Sequence, residues 1–116
     1  MYASGQANFS VEKAARLVGL EFRKVEVDGA FRMRADFPLD DATAVVATVG
    51  TTGTTSVDPV PELARRCEEA GVWLHVDAAY AGAAAVCPEF RWILAGLEHA
   101  DSFCFDPHKW LLTTFD

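Results

Sequence analysis

Residues 44–77, AVVATVGTTGTTSVDPVPELARRCEEAGVWLHVD, hold in order an apolar run, a polar turn, a helical pattern and a second apolar run. The first run, Ala44-Val45-Val46-Ala47-Thr48-Val49, is rich in β-branched residues and ends in Gly50-Thr51-Thr52-Gly53. It predicts a buried strand that leaves into a turn. Asp58 then stands where it caps a helix whose first turn holds Pro59, with Val60, Leu63, Ala64 and Cys67 on one face and Gly71 as the stop. Val72-Trp73-Leu74-His75-Val76 predicts a second buried strand. Strand, helix, strand in this order is the grammar of an α/β layer with a largely parallel sheet.

The flanks extend the same pattern. Downstream, a helical pattern over residues 90–97 leads to a third strand, Ser102-Phe103-Cys104-Phe105. Upstream, Val11, Ala14, Ala15 and Val18 recur at helical spacing from Ser10, and Gly19 suits a helix stop. Val25 and Val27 alternate with polar neighbours before the turn Asp28-Gly29, as in a half-buried strand. Residues 31–43 show no period, and the chain has no internal repeat or low-complexity linker.

Composition narrows the function. The chain has 116 residues, the size of one ordinary domain, and its 51% hydrophobic and 23% charged content is a globular balance. A net charge of −7, with cations scattered among acids, argues against a nucleic-acid surface. No segment approaches the ~20 apolar residues that span a bilayer, and the start lacks a basic region followed by an apolar one. The expectation is a soluble, cytoplasmic protein that binds neither nucleic acid nor membrane. Cys67, Cys87 and Cys104 are odd in number and contain no Cys-x-x-Cys pair, so buried thiols are expected.

Ligands of open α/β sheets bind beyond the carboxyl ends of the strands. Three polar clusters fall there: residues 50–55, Asp77, and Asp106-Pro107-His108-Lys109. If the strands are parallel and adjacent, the clusters share one edge of the sheet. Lys109 lies between His108 and the apolar run Trp110-Leu111-Leu112; it is either a lysine that snorkels to water or a partly desolvated amine suited to attack an aldehyde. Asp77 reads either as a turn residue or as a carboxylate facing a cationic ring nitrogen. Ala78 and Ala79 are small enough to let a flat ring approach the backbone. His75, Asp77, His99 and His108 offer two-His, one-carboxylate chemistry, but no helical His pair or thiolate cluster accompanies them, and no metal is expected. The 50–55 turn reads equally as a phosphate cradle or a tight polar turn, and it lacks the Gly-Lys-Ser/Thr ending of a nucleotide loop.

Taken together, the stretches 73–82 (WLHVDAAYAG), 87–91 (CPEFR) and 101–110 (DSFCFDPHKW), with Thr48-Val49-Gly50-Thr51-Thr52 and Tyr2-Ala3-Ser4 upstream, closely resemble group II decarboxylases dependent on pyridoxal 5'-phosphate (PLP). The aromatic-L-amino-acid decarboxylase branch is the most similar. The resemblance implies a partial large PLP-binding domain of the aspartate-aminotransferase type (fold type I) over residues 1–116, with the phosphate-cradling loop and the small C-terminal domain outside it. It implies decarboxylation of an L-amino acid, aromatic in kind, through a Schiff base on Lys109, with Asp77 paired to the pyridine nitrogen and Ala79 packed on the ring. Thr52 and His108 are expected to line the site, and relatives are homodimers.

Where the family places a histidine over the ring, this chain has Asn8. Asparagine hydrogen-bonds but does not act as a general acid or base near neutral pH, which opens the alternative of an aromatic aldehyde synthase. A truncated, non-catalytic homologue is the other alternative. The stretch between Met33-Arg34-Ala35-Asp36 and Val45-Val46-Ala47-Thr48 is also shorter than in relatives.

Overall fold

The computed structural model describes residues 1–115, so that Asp116, the last residue of the expected segment, lies outside the described residues. In chain order the elements are β1 (Tyr2–Ser4), α1 (Phe9–Leu17), β2 (Arg23–Val25), β3 (Ala44–Thr48), α2 (Val60–Ala70), β4 (Trp73–Asp77), 3-10 turns at Gly82–Val86, Pro88–Leu94 and Leu97–His99, β5 (Ser102–Cys104) and α3 (Pro107–Trp110). The strands form one sheet in the order β2-β1-β3-β4-β5, and every pair is parallel. The expected α/β architecture with a parallel sheet is therefore present.

The sheet is held from both faces where it is most apolar. All five residues of β3 are buried. Val45, Ala47 and Val49 join Leu74 and Val76 of β4 in the main core, against Val60, Leu63, Ala64 and Cys67 of α2. Helix α2 ends as its sequence predicts: Gly71 takes a left-handed φ of 66°, and its N–H bonds back to the last turn. On the other face Val11 of α1 packs with Ala3 and Val46 in a smaller cluster.

Several expectations need correction. Asp58 does not cap α2, whose cap position is Pro59 with no side-chain bond. Its carboxylate turns inward, 2% exposed, and accepts the Met33 N–H (2.7 Å) and the Thr48 N–H (2.8 Å). It thus ties the unpatterned 31–43 stretch to β3. The expected helix over 90–97 is a series of 3-10 turns. Gly96, at a left-handed φ of 85°, interrupts it, leaving too few residues for a cooperative α-helix. The strand expected at 72–76 is buried on one face only: Leu74 and Val76 are inside, while Trp73 is 54% exposed because α2 covers a single face there.

The remaining corrections are smaller. Helix α1 buries Val11 and Ala15 but leaves Ala14 and Val18 exposed. Val27 lies outside β2, in an isolated antiparallel bridge with Met33. Cys67 is buried as expected, Cys104 is half-buried, and Cys87 is exposed. Tyr2–Ser4, assigned no element from sequence, forms a strand between β2 and β3. Three residues are too few to show a period, and their pairing is decided by neighbours.

Candidate active site

Four chain segments leave the carboxyl ends of neighbouring strands and converge. Their approach is enforced locally. Gly50, after β3, has a left-handed φ of 83°, and a Cβ there would sit 2.5 Å from the Ala81 side chain after β4. Only glycine allows these two turns to touch. Tyr80 in turn packs edge-on against Trp110 of α3, with ring centroids 5.5 Å apart, which ties the β4 exit to the turn bearing Lys109.

The result is a cleft of about 240 Å³. Asn8 and Ser10 reach it from the start of α1, Thr48, Gly50 and Thr52 from β3 and its turn, Asp77, Ala79 and Tyr80 from β4, and Cys104, Asp106 and Lys109 from β5 and α3. Five of the six expected site residues, Lys109, Asp77, Ala79, Thr52 and Asn8, line this one space. His108 does not; its ring packs edge-on against Phe115 at 4.7 Å. Ser10, Thr48, Tyr80 and Cys104 were not singled out as site residues from sequence. Their signal was positional, since each sits at or just beyond the end of an element whose neighbours carry the polar clusters.

Asp77 closes β4 in register with Thr48 and Cys104. Its Oδ1 accepts the Ala79 N–H (3.1 Å) and faces the Cys104 thiol (3.6 Å). Among the described residues Oδ2 takes no hydrogen bond, so the carboxylate, which lines the cleft, keeps one oxygen unpaired. Burial, then the nearby charge of Asp77, push the Cys104 thiol above its usual range, which keeps it a neutral donor. Thr48 Oγ1, also at this wall, is buried without a partner among the described residues.

Of the two readings of Lys109, the structure is nearer the lysine that reaches water. It is exposed, with side-chain accessibility of 37%, and its Nζ lies 2.7 Å from Asp106 Oδ2. Asn8 caps α1, its Oδ1 accepting the Ser10 N–H at 3.0 Å, so its amide NH₂ is the part left to donate. The 50–55 turn resolves toward the tight polar turn. The amides of Gly50, Thr51 and Thr55 bond within it or to Ser56, and the hydroxyls of Thr51, Thr54 and Ser56 bond one another. Among the described residues no group of three or more His, Cys, Asp or Glu is placed to hold a metal ion.

Known proteins resemble the chain along its whole length. The model of the pyridoxal-dependent decarboxylase conserved domain matches residues 1–116. Aromatic-L-amino-acid decarboxylase of Bos taurus is 51% identical over 125 residues, covering 99% of this chain and 26% of that protein. Phenylacetaldehyde synthase of Petunia hybrida is 42% identical over 131 residues, covering 100% of this chain and 26% of that protein. Among solved structures, Oryza sativa TDC with PLP and tryptamine superposes with a TM-score of 0.92 at 38% identity, over 99% of this chain and 26% of that one. The chain thus spans about a quarter of the length of the relatives it matches.

Proposed function

Because the chain belongs to the pyridoxal-dependent decarboxylase family, we propose that it supplies the cofactor lysine and the ring-facing carboxylate of an enzyme that decarboxylates an aromatic L-amino acid. The observation that carries this reading is the single cleft onto which Lys109 and Asp77 both open. The residues present fit PLP: a primary amine suits its aldehyde, a carboxylate with one open oxygen suits its ring nitrogen, and the small side chain of Ala79 leaves room for a flat ring. When bound, PLP supplies a protonated ring that takes up the electron pair left as carbon dioxide departs.

Each residue has a separate task in this reading. Lys109 anchors the cofactor through Nζ. Asp77 Oδ2 keeps the ring nitrogen protonated, and the bonds to Oδ1 fix its direction. Ala79 keeps water from one side of the ring, and Thr52 and Asn8 donate at the cleft walls. The 116 residues are then one part of a fold type I large domain. The resemblance further supports a homodimeric, cytoplasmic enzyme of amino-acid and carboxylic-acid metabolism.

Mixing the protein with PLP and recording its absorption spectrum tests the reading. A band distinct from that of free PLP is expected, and Lys109→Ala should remove it. Wild type without such a band would sink the proposal and favour a non-catalytic homologue.

Asn8 favours a second reading, an aromatic aldehyde synthase. That reaction converts amino acid, dioxygen and water into aldehyde, carbon dioxide, ammonia and hydrogen peroxide. The Asn8 amide donates a hydrogen bond but does not exchange a proton at neutral pH. Assay of a polypeptide that includes the remaining three quarters of the family's length decides between them: amine alone excludes the synthase, and aldehyde with peroxide supports it.

A further inference from the structure

Lys109 and Asp106 form an ion pair that the proposed attachment chemistry has to break. Asp106 occupies the position before α3 where an aspartate ordinarily caps the first turn, yet it makes no side-chain cap bond. Its Oδ2 instead lies 2.7 Å from Lys109 Nζ, one helical turn along, with both side chains about one-third exposed and both lining the cleft. His108 Nε2 is 3.9 Å from the same oxygen, so Lys109 is the nearer partner.

We propose that Asp106 is a positioning residue for Lys109: it docks the amine as an ammonium at the cleft wall and receives its proton when the cofactor attaches. The inference rests on the reading of Lys109 as the cofactor anchor. An ammonium has no lone pair, so it cannot bond to an aldehyde carbon. In attachment the ammonium gives one proton to the Asp106 carboxylate, Nζ bonds to the aldehyde carbon, and its two remaining protons leave with the carbonyl oxygen as water. Asp77, the other cleft carboxylate, is committed through Oδ1 to the Ala79 amide and the Cys104 thiol. Asp106 is therefore the carboxylate in contact with the lysine.

The chain has three lysines, Lys13, Lys24 and Lys109, which permits a test without cofactor. Trace labelling with acetic anhydride, mapped by peptide mass spectrometry, reports the reactivity of Lys109 against the other two as internal references. For a partly exposed pair, Asp106→Asn should raise relative labelling of Lys109 roughly two- to five-fold, while Asp106→Glu should restore the wild-type labelling. The band formed with PLP should appear more slowly in Asp106→Asn, whose amide cannot take up the proton, and Asp106→Glu should restore the wild-type rate.

Unchanged labelling in Asp106→Asn, with a PLP band that forms at the wild-type rate, would overturn the role of Asp106 and leave the cofactor reading standing. No band in any form, whatever the labelling, would overturn both.

Discussion

Removing the Asp58 carboxylate should cost this fold more than any comparable surface change. Asp58 is 2% exposed and accepts two buried amides, Met33 N–H at 2.7 Å and Thr48 N–H at 2.8 Å. Asp58→Ala leaves both unpaired, at roughly 1–3 kcal/mol each, partly offset by no longer burying a carboxylate, for a net loss of about 2–4 kcal/mol. Against the ~5–15 kcal/mol of an ordinary domain, that is a large fraction. It corresponds to a fall in melting temperature of roughly 10–20 °C. Urea unfolding followed by circular dichroism and tryptophan fluorescence measures it.

The sign of the pH dependence adds a second constraint. Burial raises the Asp58 carboxyl above its usual range, against the pull of its two amide donors. The folded chain therefore binds that proton more tightly than the unfolded chain does. The group's contribution is largest below the unfolded value and falls as pH rises through the raised one. The stability gap between wild type and Asp58→Ala should accordingly narrow as pH rises from about 4 toward neutrality. Asp36, pulled down to about 2 by Arg34, works oppositely in both proteins, its contribution being lost as pH falls toward that value. A loss below about 0.5 kcal/mol, or a gap that widens with pH, would refute the assignment of Asp58 as a buried double acceptor.

Two further outcomes probe the cleft. Gly50→Ala forces a left-handed φ on alanine and drives its Cβ into Ala81, and it should lose roughly 2–5 kcal/mol by denaturant unfolding while weakening PLP binding; wild-type stability would contradict the close approach of the two turns. In the longer polypeptide, Asn8→His restores a proton-exchanging ring at the cleft and should raise the ratio of amine to peroxide, and an unchanged ratio would remove Asn8 from the control of product.

Much of the site was legible because its parts lie at strand ends. The polar clusters at 50–55, Asp77 and 106–109 each follow an apolar run, and a parallel sheet with β3, β4 and β5 adjacent brings such positions to one edge. Asp58 was misread because an aspartate before a proline-led helix start looks locally like a cap. Its true partners, Met33 and Thr48, are 25 and 10 residues away. Lys109 kept two readings for a related reason. Its sequence neighbours allow either a lysine that reaches water or a desolvated amine, and only in space does Asp106, three residues back, pair with it at the exposed cleft wall.

By itself the sequence determined what local chemistry determines: the β-branched runs, the α2 stripe with its Gly71 stop, and the ordered motifs that place Lys109 and Asp77 in a PLP-dependent family. Tertiary structure alone decided which strands are neighbours, that Tyr2–Ser4 is one of them, which way each carboxylate points, and that His108 turns to Phe115. The physical reason is range. Propensity and periodicity act within a few residues, whereas a carboxylate's partner is set by desolvation and hydrogen bonding among groups that the fold brings together from distant parts of the chain.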